Sequence, residues 1–137
     1  MDAENRPRAA APRILFVDDE PHALSAIRRL VGRHRRRWTL TFVTSGAEAL
    51  AHLEREPVDV LVTDMRMPGM DGTAVLSRTR DCHPRVARVV LSGHADDEEQ
   101  VQRTGLSATY LSKPCDSELL VRTISGLVAD RRAREAG

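Results

Sequence analysis

The sequence predicts an α/β fold, in which a five-stranded parallel sheet carries helices on both of its faces. The main observation is that strand-like apolar segments alternate five times with segments of helical periodicity, with no repeat or linker among them. Five βα units require right-handed crossovers, which place helices on both faces of the sheet. A second observation is that several strand-like segments end in charged or hydroxyl residues. We expect the doubly wound order 2-1-3-4-5, whose ligands bind outside the carboxyl ends of the strands.

The length and composition of the chain indicate one folded domain with polar ends. Its 137 residues are long enough to bury a core. Residues 1–12 have almost nothing to bury and are expected to be a disordered N-terminal arm, and residues 131–137 are expected to be a polar C-terminal tail. The folded domain is therefore predicted over residues 13–130.

Charge, cysteine content and hydropathy exclude several classes of protein. The net charge of +1 at pH 7 gives no overall field that would favour nucleic acid or a membrane surface. The two cysteines, Cys82 and Cys115, have neither a disulfide framework nor metal-type spacing. No apolar run is long enough to span a bilayer, and the N-terminus has no apolar signal segment. We therefore expect a cytoplasmic protein.

The first two strands are predicted to differ in burial. Residues 13–18 predict a buried strand, and residues 21–34 predict a helix that opens with proline, whose missing N–H is not needed in a first helical turn. The apolar residues of this helix share one face, namely Leu24, Ile27 and Val31, with Leu30 beside them. Residues 38–44 alternate between two faces, which indicates one exposed face and hence an edge strand.

The middle of the chain predicts a central strand between two capped helices. Residues 45–48 form a capping box, which predicts a helix that continues to about residue 55. Residues 58–63 are almost continuously apolar, as expected of a strand that is covered on both faces. Asp71 can cap a helix that continues to about Cys82.

The last two units are predicted to be less regular. Residues 86–91 predict the fourth strand, and residues 108–111 a short fifth strand. The helix between them, residues 96–104, has Val101 as almost its only apolar residue. Residues 116–130 predict a closing helix, whose core face carries Leu120, Ile124 and either Leu127 or Val128.

Polar side chains follow four of the five predicted strands. Asp18 and Asp19 follow the first strand, Asp64 follows the third, Ser92 the fourth and Lys113 the fifth. Because the carboxyl ends of parallel strands meet at one edge of a sheet, we expect these side chains to lie close together.

Three adjacent carboxylates predict a cation site. Carboxylates this close repel one another, so they need either protonation or a cation. Mg2+ suits oxygen ligands, and Asp19, Asp64 and the backbone carbonyl of Arg66 could supply three of them, with Asp18 holding a coordinated water. The alternative for the acidic pair is a helix N-cap in front of Pro21.

Lys113 and Ser92 extend this site to phosphoryl chemistry. Phosphoryl transfer depends on positioning and charge neutralisation, which a metal and an ammonium provide. Lys113 can be shared between Asp64 and a phosphoryl oxygen, while Ser92 can donate to another oxygen. Asp64 would then be the nucleophile and form an acyl phosphate. The alternative for Lys113 is a salt bridge alone.

Taken in order, these residues resemble the receiver domain of two-component response regulators, over roughly residues 13–130. The matching positions are Asp18, Asp19, Asp64, the loop 65–72, Ser92, Gly93, Tyr110, Lys113 and Pro114. The resemblance implies the flavodoxin-like (βα)5 receiver fold and Mg2+ held by Asp19, Asp64 and the Arg66 carbonyl. It also implies a switch made by Ser92 and Tyr110, which turns inward from an exposed position, and a cis peptide before Pro114.

The same resemblance implies partners for the chain. They are a sensor histidine kinase or phosphotransfer protein, which supplies the phosphoryl group from a phosphohistidine, and a downstream output domain or protein. No direct contact with nucleic acid or membrane is expected, and no enzymatic activity beyond self-catalysed phosphorylation and dephosphorylation. Residues 91–96 and 110–116 resemble receivers that precede HDOD or HD-GYP output domains. The sequence after Lys113 is enough only for a last helix, so we expect either a stand-alone receiver or the receiver of a longer regulator.

Two other functions are compatible with an acidic site of this kind. A Mg2+-dependent phosphatase of the haloacid-dehalogenase type would need a second aspartate two residues after the nucleophile, and Arg66 occupies that position. A pseudo-receiver that only binds partners would be expected to lack Asp64, Lys113 or part of the acidic pair, and all of these are present.

Overall fold

The computed structural model describes residues 11–34 and 37–136 of the chain, which form five β-strands and five α-helices. The strands are β1 (Arg13–Val17), β2 (Thr39–Val43), β3 (Val60–Thr63), β4 (Ala87–Ser92) and β5 (Thr109–Ser112). The helices are α1 (Pro21–Val31), α2 (Gly46–Arg55), α3 (Gly72–Cys82), α4 (Asp96–Arg103) and α5 (Ser117–Ala136), with a short 3-10 helix at Gly32–His34. Most of the predicted N-terminal arm, residues 1–10, lies outside the described residues.

The five strands form one parallel sheet in the order β2-β1-β3-β4-β5, which confirms the predicted fold class and topology. Strands β1 and β3 are neighbours in register, with Val17 opposite Thr63. Hydrogen bonding continues one residue beyond this pair, since the Asp64 amide donates to the Val17 carbonyl at 3.0 Å. The two strand ends that carry acidic residues therefore lie side by side at the point where the chain order reverses.

The core has a layer on each face of the sheet, because successive side chains of a strand point to opposite faces. On one face Ile14 and Phe16 pack with α1 and α5 in a cluster that includes Leu24, Ile27, Val31, Leu120, Ile124 and Val128. On the other face Leu15 and Val17 pack with α2 and α3 in a cluster that includes Leu53 and Val75. The helix faces predicted from apolar spacing are thus the buried faces.

Two of the helices, α2 and α3, begin with the capping residues that the sequence indicates. Ser45 Oγ accepts a hydrogen bond from the Glu48 amide at 3.1 Å, and Asp71 Oδ1 accepts one from the Ala74 amide at 3.0 Å. Helix α1 starts at Pro21, after an N-cap at Glu20. Helix α4 has no side-chain hydrogen bond at its N-cap, so its first turn lacks this source of stability.

Strand β2 lies at the edge of the sheet, as predicted, although its burial does not alternate. Only its first residue is exposed, and the other four are half-buried. The ring of Phe42 stacks on Phe16 with 5.0 Å between ring centroids, and the Arg28 guanidinium lies 4.4 Å from the centroid of Phe42. Arg28 therefore covers a face that the sequence pattern alone leaves open to solvent.

Helix α5 continues to Ala136, beyond the predicted end near residue 130. The stretch 131–136 is polar, as predicted, but it belongs to the helix. The Arg131 guanidinium forms an ion pair with Asp59 at the amino end of the sheet, and Asp59 Oδ2 also accepts a hydrogen bond from the Arg13 amide at 2.8 Å. This tertiary contact holds a turn whose sequence has little apolar surface. In the described part of the chain, no helix has the length and apolar character that crossing a membrane requires.

Candidate functional site

The three predicted carboxylates meet at the carboxyl ends of β1 and β3. One oxygen each from Asp18, Asp19 and Asp64 can be chosen such that all three lie within 4.8 Å of one another. Asp18 is buried, with 2% of the residue exposed, and it is held by the Glu20 amide, which donates to Asp18 Oδ1 at 3.0 Å. The predicted grouping of the acidic residues is therefore present, whereas the N-cap of α1 is Glu20 and not a member of the acidic pair.

Lys113 is the fixed cation of this cluster and the only lysine in the chain. Its Nζ lies 2.8 Å from Asp18 Oδ2 and 3.7 Å from Asp64 Oδ1. Its amide donates to the Ser92 carbonyl at 2.7 Å, and the Lys113–Pro114 peptide is cis, as expected from the resemblance. Lys113 therefore contacts Asp64, but Asp18 is the nearer partner, and the sharing of Lys113 between Asp64 and a phosphoryl oxygen stays a prediction.

The environment of Asp64 makes its charged form costly in the absence of a metal. Burial raises the pKa of the Asp64 carboxyl, the Lys113 ammonium and the Met65 amide lower it, and the charges of Asp18 and Asp19 raise it, with a net increase over the ordinary value. The Met65 amide donates to Asp64 Oδ1 at 2.9 Å. A cation that binds beside Asp64 would relieve this cost.

A close backbone contact fixes the loop that follows Asp64. The Gly72 amide, at the start of α3, donates to the Met65 carbonyl at 2.8 Å. A Cβ atom at Gly72 would lie 2.3 Å from the Asp64 carbonyl oxygen and 2.7 Å from Met65 Cα. Only glycine allows this approach, so the N-terminus of α3 is packed directly against the backbone of the acidic strand end.

Ser92 lies at the predicted strand end, but its hydroxyl is engaged. The residue is fully buried. Its Oγ donates to Asp97 Oδ2 and accepts a hydrogen bond from the His94 amide at 3.2 Å. The proton that was predicted to serve a phosphoryl oxygen therefore has another acceptor in this structure.

Tyr110, the second predicted switch residue, is half-buried where we expected it to start from an exposed position. Its hydroxyl donates to the His94 carbonyl at 2.8 Å. Its ring packs against a small apolar cluster made by Met65, Leu76, Val90, Val101 and Leu106. The apolar body of the ring has a surface to cover, and the hydroxyl reaches a partner near solvent, which explains the intermediate position.

Arg66 lies at the rim of the site and points its side chain to helix α4. Its Nε and Nη2 each donate to Asp97 Oδ1 at 3.3 Å, while 55% of the Arg66 side chain remains exposed. The role of its backbone carbonyl as a metal ligand stays a prediction.

Asp97 is the functional candidate that the sequence analysis missed. It is 1% exposed, yet it lies among acidic residues in a helix with little apolar surface. One signal could have found it: Asp97 precedes Val101 by four residues, so both face the same side of a helix. Asp96, its neighbour, is exposed.

Comparisons with known proteins agree with this fold. A family model described as the response regulator receiver domain matches residues 14–125. The hydrogenase transcriptional regulatory protein HoxA of Cupriavidus necator is 35% identical over 113 residues, which are 81% of this chain and 23% of that protein. The DNA-binding transcriptional regulator NtrC of Escherichia coli is 34% identical over 119 residues, which are 85% of this chain and 24% of that protein. The chain thus spans about a quarter of the length of these relatives.

Solved structures give the same result. The signal receiver domain of an HD domain-containing protein from Pseudomonas fluorescens Pf-5 has a TM-score of 0.81 at 27% identity and covers 89% of this chain and 98% of that one. This neighbour agrees with the expected similarity to receivers that precede HD-type output domains. A CheY-like receiver domain from Methanospirillum hungatei JF-1 shares the fold, with a TM-score of 0.82 at 23% identity and coverage of 91% and 99%. Because the family match extends over most of the described chain and the fold agrees with it, the chain belongs to the receiver domains of two-component response regulators.

Proposed function

We propose that this receiver accepts a phosphoryl group on Asp64 from the phosphohistidine of a sensor histidine kinase or phosphotransfer protein, in a Mg2+-dependent reaction. The observation that carries the proposal is the grouping of Asp18, Asp19 and Asp64 around the single ammonium of Lys113. It is a signalling module, and its only chemistry is its own phosphorylation and dephosphorylation.

The donor set supports a divalent metal. Three carboxylates face one ammonium, so two negative charges remain for a divalent cation to balance. All the side-chain donors are carboxylate oxygens, which suit Mg2+. We assign Asp19, Asp64 and the Arg66 carbonyl as ligands and Asp18 as the holder of a bound water. When bound, the metal neutralises charge on the carboxylates and on the phosphoryl oxygens.

The residues of the chain have separate parts in the transfer. An oxygen of Asp64 attacks phosphorus, a P–O bond forms, and the P–N bond to the donor imidazole breaks with its electron pair going to the imidazole nitrogen. The Met65 amide and Lys113 both approach Asp64 Oδ1, so we assign the attack to Oδ2. Lys113 can then pair with a phosphoryl oxygen, and Ser92 can donate to another once it leaves Asp97.

The relatives indicate how the signal would leave the receiver domain. The curated relatives are transcriptional regulators about four times as long as the matched region, and one structural neighbour is the receiver of an HD domain-containing protein. We propose that phosphorylation acts on a downstream output domain or protein through the surface next to Ser92 and Tyr110. Transfer from a kinase of this type would occur in the cytoplasm.

Phosphorylation of Asp64 can be tested directly. Incubation with Mg2+ and acetyl phosphate should add one phosphoryl group, measured by intact mass, and hydroxylamine should remove it because an acyl phosphate is labile. Asp64→Ala should abolish the product, and a metal chelator should suppress it. A hydroxylamine-stable phosphoserine or phosphohistidine in the wild type would contradict the assignment.

A further inference from the structure

Asp97 is a buried carboxylate outside the acidic cluster. In the described part of the chain, Asp18 and Asp97 are the two carboxylate residues that are almost fully buried. Asp18 is explained by the cluster and by Lys113, whereas Asp97 lies in the first turn of α4. A buried charge is kept in a fold only with strong partners, so the partners of Asp97 indicate what it does.

The polar groups of Asp97 connect the acceptor site to the tyrosine of β5. One carboxylate oxygen accepts the hydroxyl proton of Ser92, and the other accepts two N–H groups of Arg66, each at 3.3 Å. The Asp97 amide donates to the His94 carbonyl at 3.1 Å, and the same carbonyl accepts the Tyr110 hydroxyl at 2.8 Å. Asp97 thus contacts both Ser92 and the His94 carbonyl, which accepts the hydrogen bond of Tyr110.

Ser92 has one hydroxyl proton, so Asp97 and a phosphoryl group on Asp64 compete for it. The Arg66 guanidinium is the second partner of Asp97, and it belongs to a residue two positions after Asp64, so new negative charge on Asp64 would attract it as well. If Ser92 turns to a phosphoryl oxygen, Asp97 loses a partner while it is still buried. Its carboxylate must then reach water or another donor.

We propose that Asp97 is a positioning residue that stabilises the unphosphorylated arrangement, and that its release from Ser92 and Arg66 is the step that moves the first turn of α4. The inference rests on the proposed phosphorylation of Asp64. Movement of this turn displaces the Asp97 amide from the His94 carbonyl and so alters the anchor of Tyr110. Partners that bind near α4 and β5 would detect the change.

Helix α4 is suited to such a movement. It has eight residues, its N-cap makes no side-chain hydrogen bond, and Val101 is its only buried apolar residue. Apart from Val101, Asp97 is the one buried residue of this helix. The contacts of Asp97 are therefore a large share of what holds the first turn in place.

The test compares the Asp97→Asn and Asp96→Asn variants. The measured quantity is the affinity of each variant for beryllium trifluoride, a phosphoryl mimic, in the presence of Mg2+. Both changes remove one negative charge from the first turn of α4, but Asp96 is exposed. Ser92 and Arg66 donate to different oxygens of Asp97, and asparagine would present an NH2 group, itself a donor, at one of these two positions, so it cannot keep both contacts as they are. We expect Asp97→Asn to bind the mimic about tenfold more tightly than the wild type and Asp96→Asn to be unchanged. A purely structural role would weaken binding, so equal or weaker binding by Asp97→Asn would overturn the proposal.

A double-mutant cycle identifies the partner of Asp97. In a Ser92→Ala background there is no hydroxyl for which Asp97 and the mimic compete. There Asp97→Asn should change the mimic affinity by at most half as much as it does in the wild type, since only the Arg66 contact remains. An undiminished gain would show that Asp97 does not act through Ser92.

The ring of Tyr110 gives a readout that does not depend on phosphorylation. Tyr110 is the only tyrosine in the chain, so isotopically labelled tyrosine gives one set of ring signals in NMR spectra. Without any mimic, Asp97→Asn should shift these signals toward their position in the mimic-bound wild type, and Asp96→Asn should not. Unchanged ring signals in Asp97→Asn overturn the role of Asp97 even if Asp64 is phosphorylated. A different result would overturn the proposed function. In that case the ring signals shift in Asp97→Asn, but the wild type is neither phosphorylated nor able to bind the mimic.

Discussion

The ammonium of Lys113 lies 0.9 Å closer to Asp18, at 2.8 Å, than to Asp64, at 3.7 Å. This asymmetry shows that Lys113 pairs more closely with the buried carboxylate of Asp18, while its ammonium still reaches Asp64. A salt bridge to Asp18 alone would not require Asp64 to lie within reach. The position of Lys113 thus suits the role proposed above, in which it pairs with a phosphoryl oxygen on Asp64.

Replacement of Lys113 should separate metal binding from signalling. In Lys113→Ala the carboxylates lose their fixed cation, so we expect Mg2+ affinity, measured by titration, to be equal to or higher than that of the wild type. Addition of the phosphoryl mimic should no longer shift the amide signals of residues 92–117. Lower Mg2+ affinity in this variant would show that Lys113 organises the metal site instead of competing with the metal.

The partly buried carboxyl group of Asp64 lowers the free energy of unfolding when it is charged. Burial raises the pKa of Asp64 in the folded state. At pH values between the ordinary pKa and this raised pKa, folding is therefore accompanied by the uptake of protons. The free energy of unfolding therefore falls as pH rises through that interval, and the cost is complete above it.

We expect Asp64→Asn to be more stable than the wild type at neutral pH in the presence of a metal chelator. An increase in melting temperature of roughly 3–5 °C corresponds to about 1 kcal/mol in a domain of this size. The difference should shrink in acid, where the wild-type carboxyl is protonated. Asp71→Asn, at an exposed helix cap, is the control. A variant less stable than the wild type at every pH would show that the attraction between Asp64 and Lys113 outweighs the cost of burial.

The sequence was sufficient to predict that the residues at the strand ends lie together, but the sequence analysis did not identify Asp97. Asp18, Asp64 and Lys113 each follow an apolar strand, and the topology alone brings such positions together. Asp97 has the local signature of a solvated acid in the first turn of a helix. Its burial depends on a hydroxyl and a guanidinium from other elements, and the local sequence marks it just by its spacing of four residues from Val101.

At the scale of the elements, the loop after β3 is held by the absence of a side chain at Gly72. An added Cβ would meet backbone atoms, which cannot move as the end of a flexible side chain can. The helix α3 and the acidic strand end would have to separate.

We therefore expect Gly72→Ala to reduce the free energy of unfolding by about 3 kcal/mol, measured by denaturant titration. Gly32→Ala is the matched control, because Gly32 has helical dihedral angles and no atom within 4 Å of a Cβ. It should be neutral or slightly stabilising. If both variants lost the same stability, the close approach at Gly72 would not be the cause.

Element boundaries were predicted well where local signals exist. The capped starts of α2 and α3 follow from Ser45 and Asp71, whose side chains act within three residues. The end of α5 was placed too early because its last turn is stabilised by Arg131 and Asp59, which are separated by 72 positions in the chain. Local pattern carries no information about a contact of that range.

At the scale of the whole molecule, metal binding should stabilise the complete domain, because the ligands come from two strands that unfolding separates. Mg2+ should raise the melting temperature of the wild type in proportion to the logarithm of its concentration once the site is saturated. Asp19→Ala should lose most of this increase because it loses a direct ligand, and Asp18→Ala should lose less if Asp18 acts through a water. An equal increase in the wild type and Asp19→Ala would remove Asp19 from the metal site.

The single lysine has a practical consequence for the whole surface. Every other basic side chain except histidine is an arginine, so amine-selective acylating reagents have one side-chain target, which lies beside Asp64, the proposed phosphoacceptor. Apart from the terminal amine, Lys113 is therefore the one amine of the wild-type protein that such a reagent can modify. The rate at which Lys113 is acylated would report the occupancy of Asp64 without a label, a mutation or a partner.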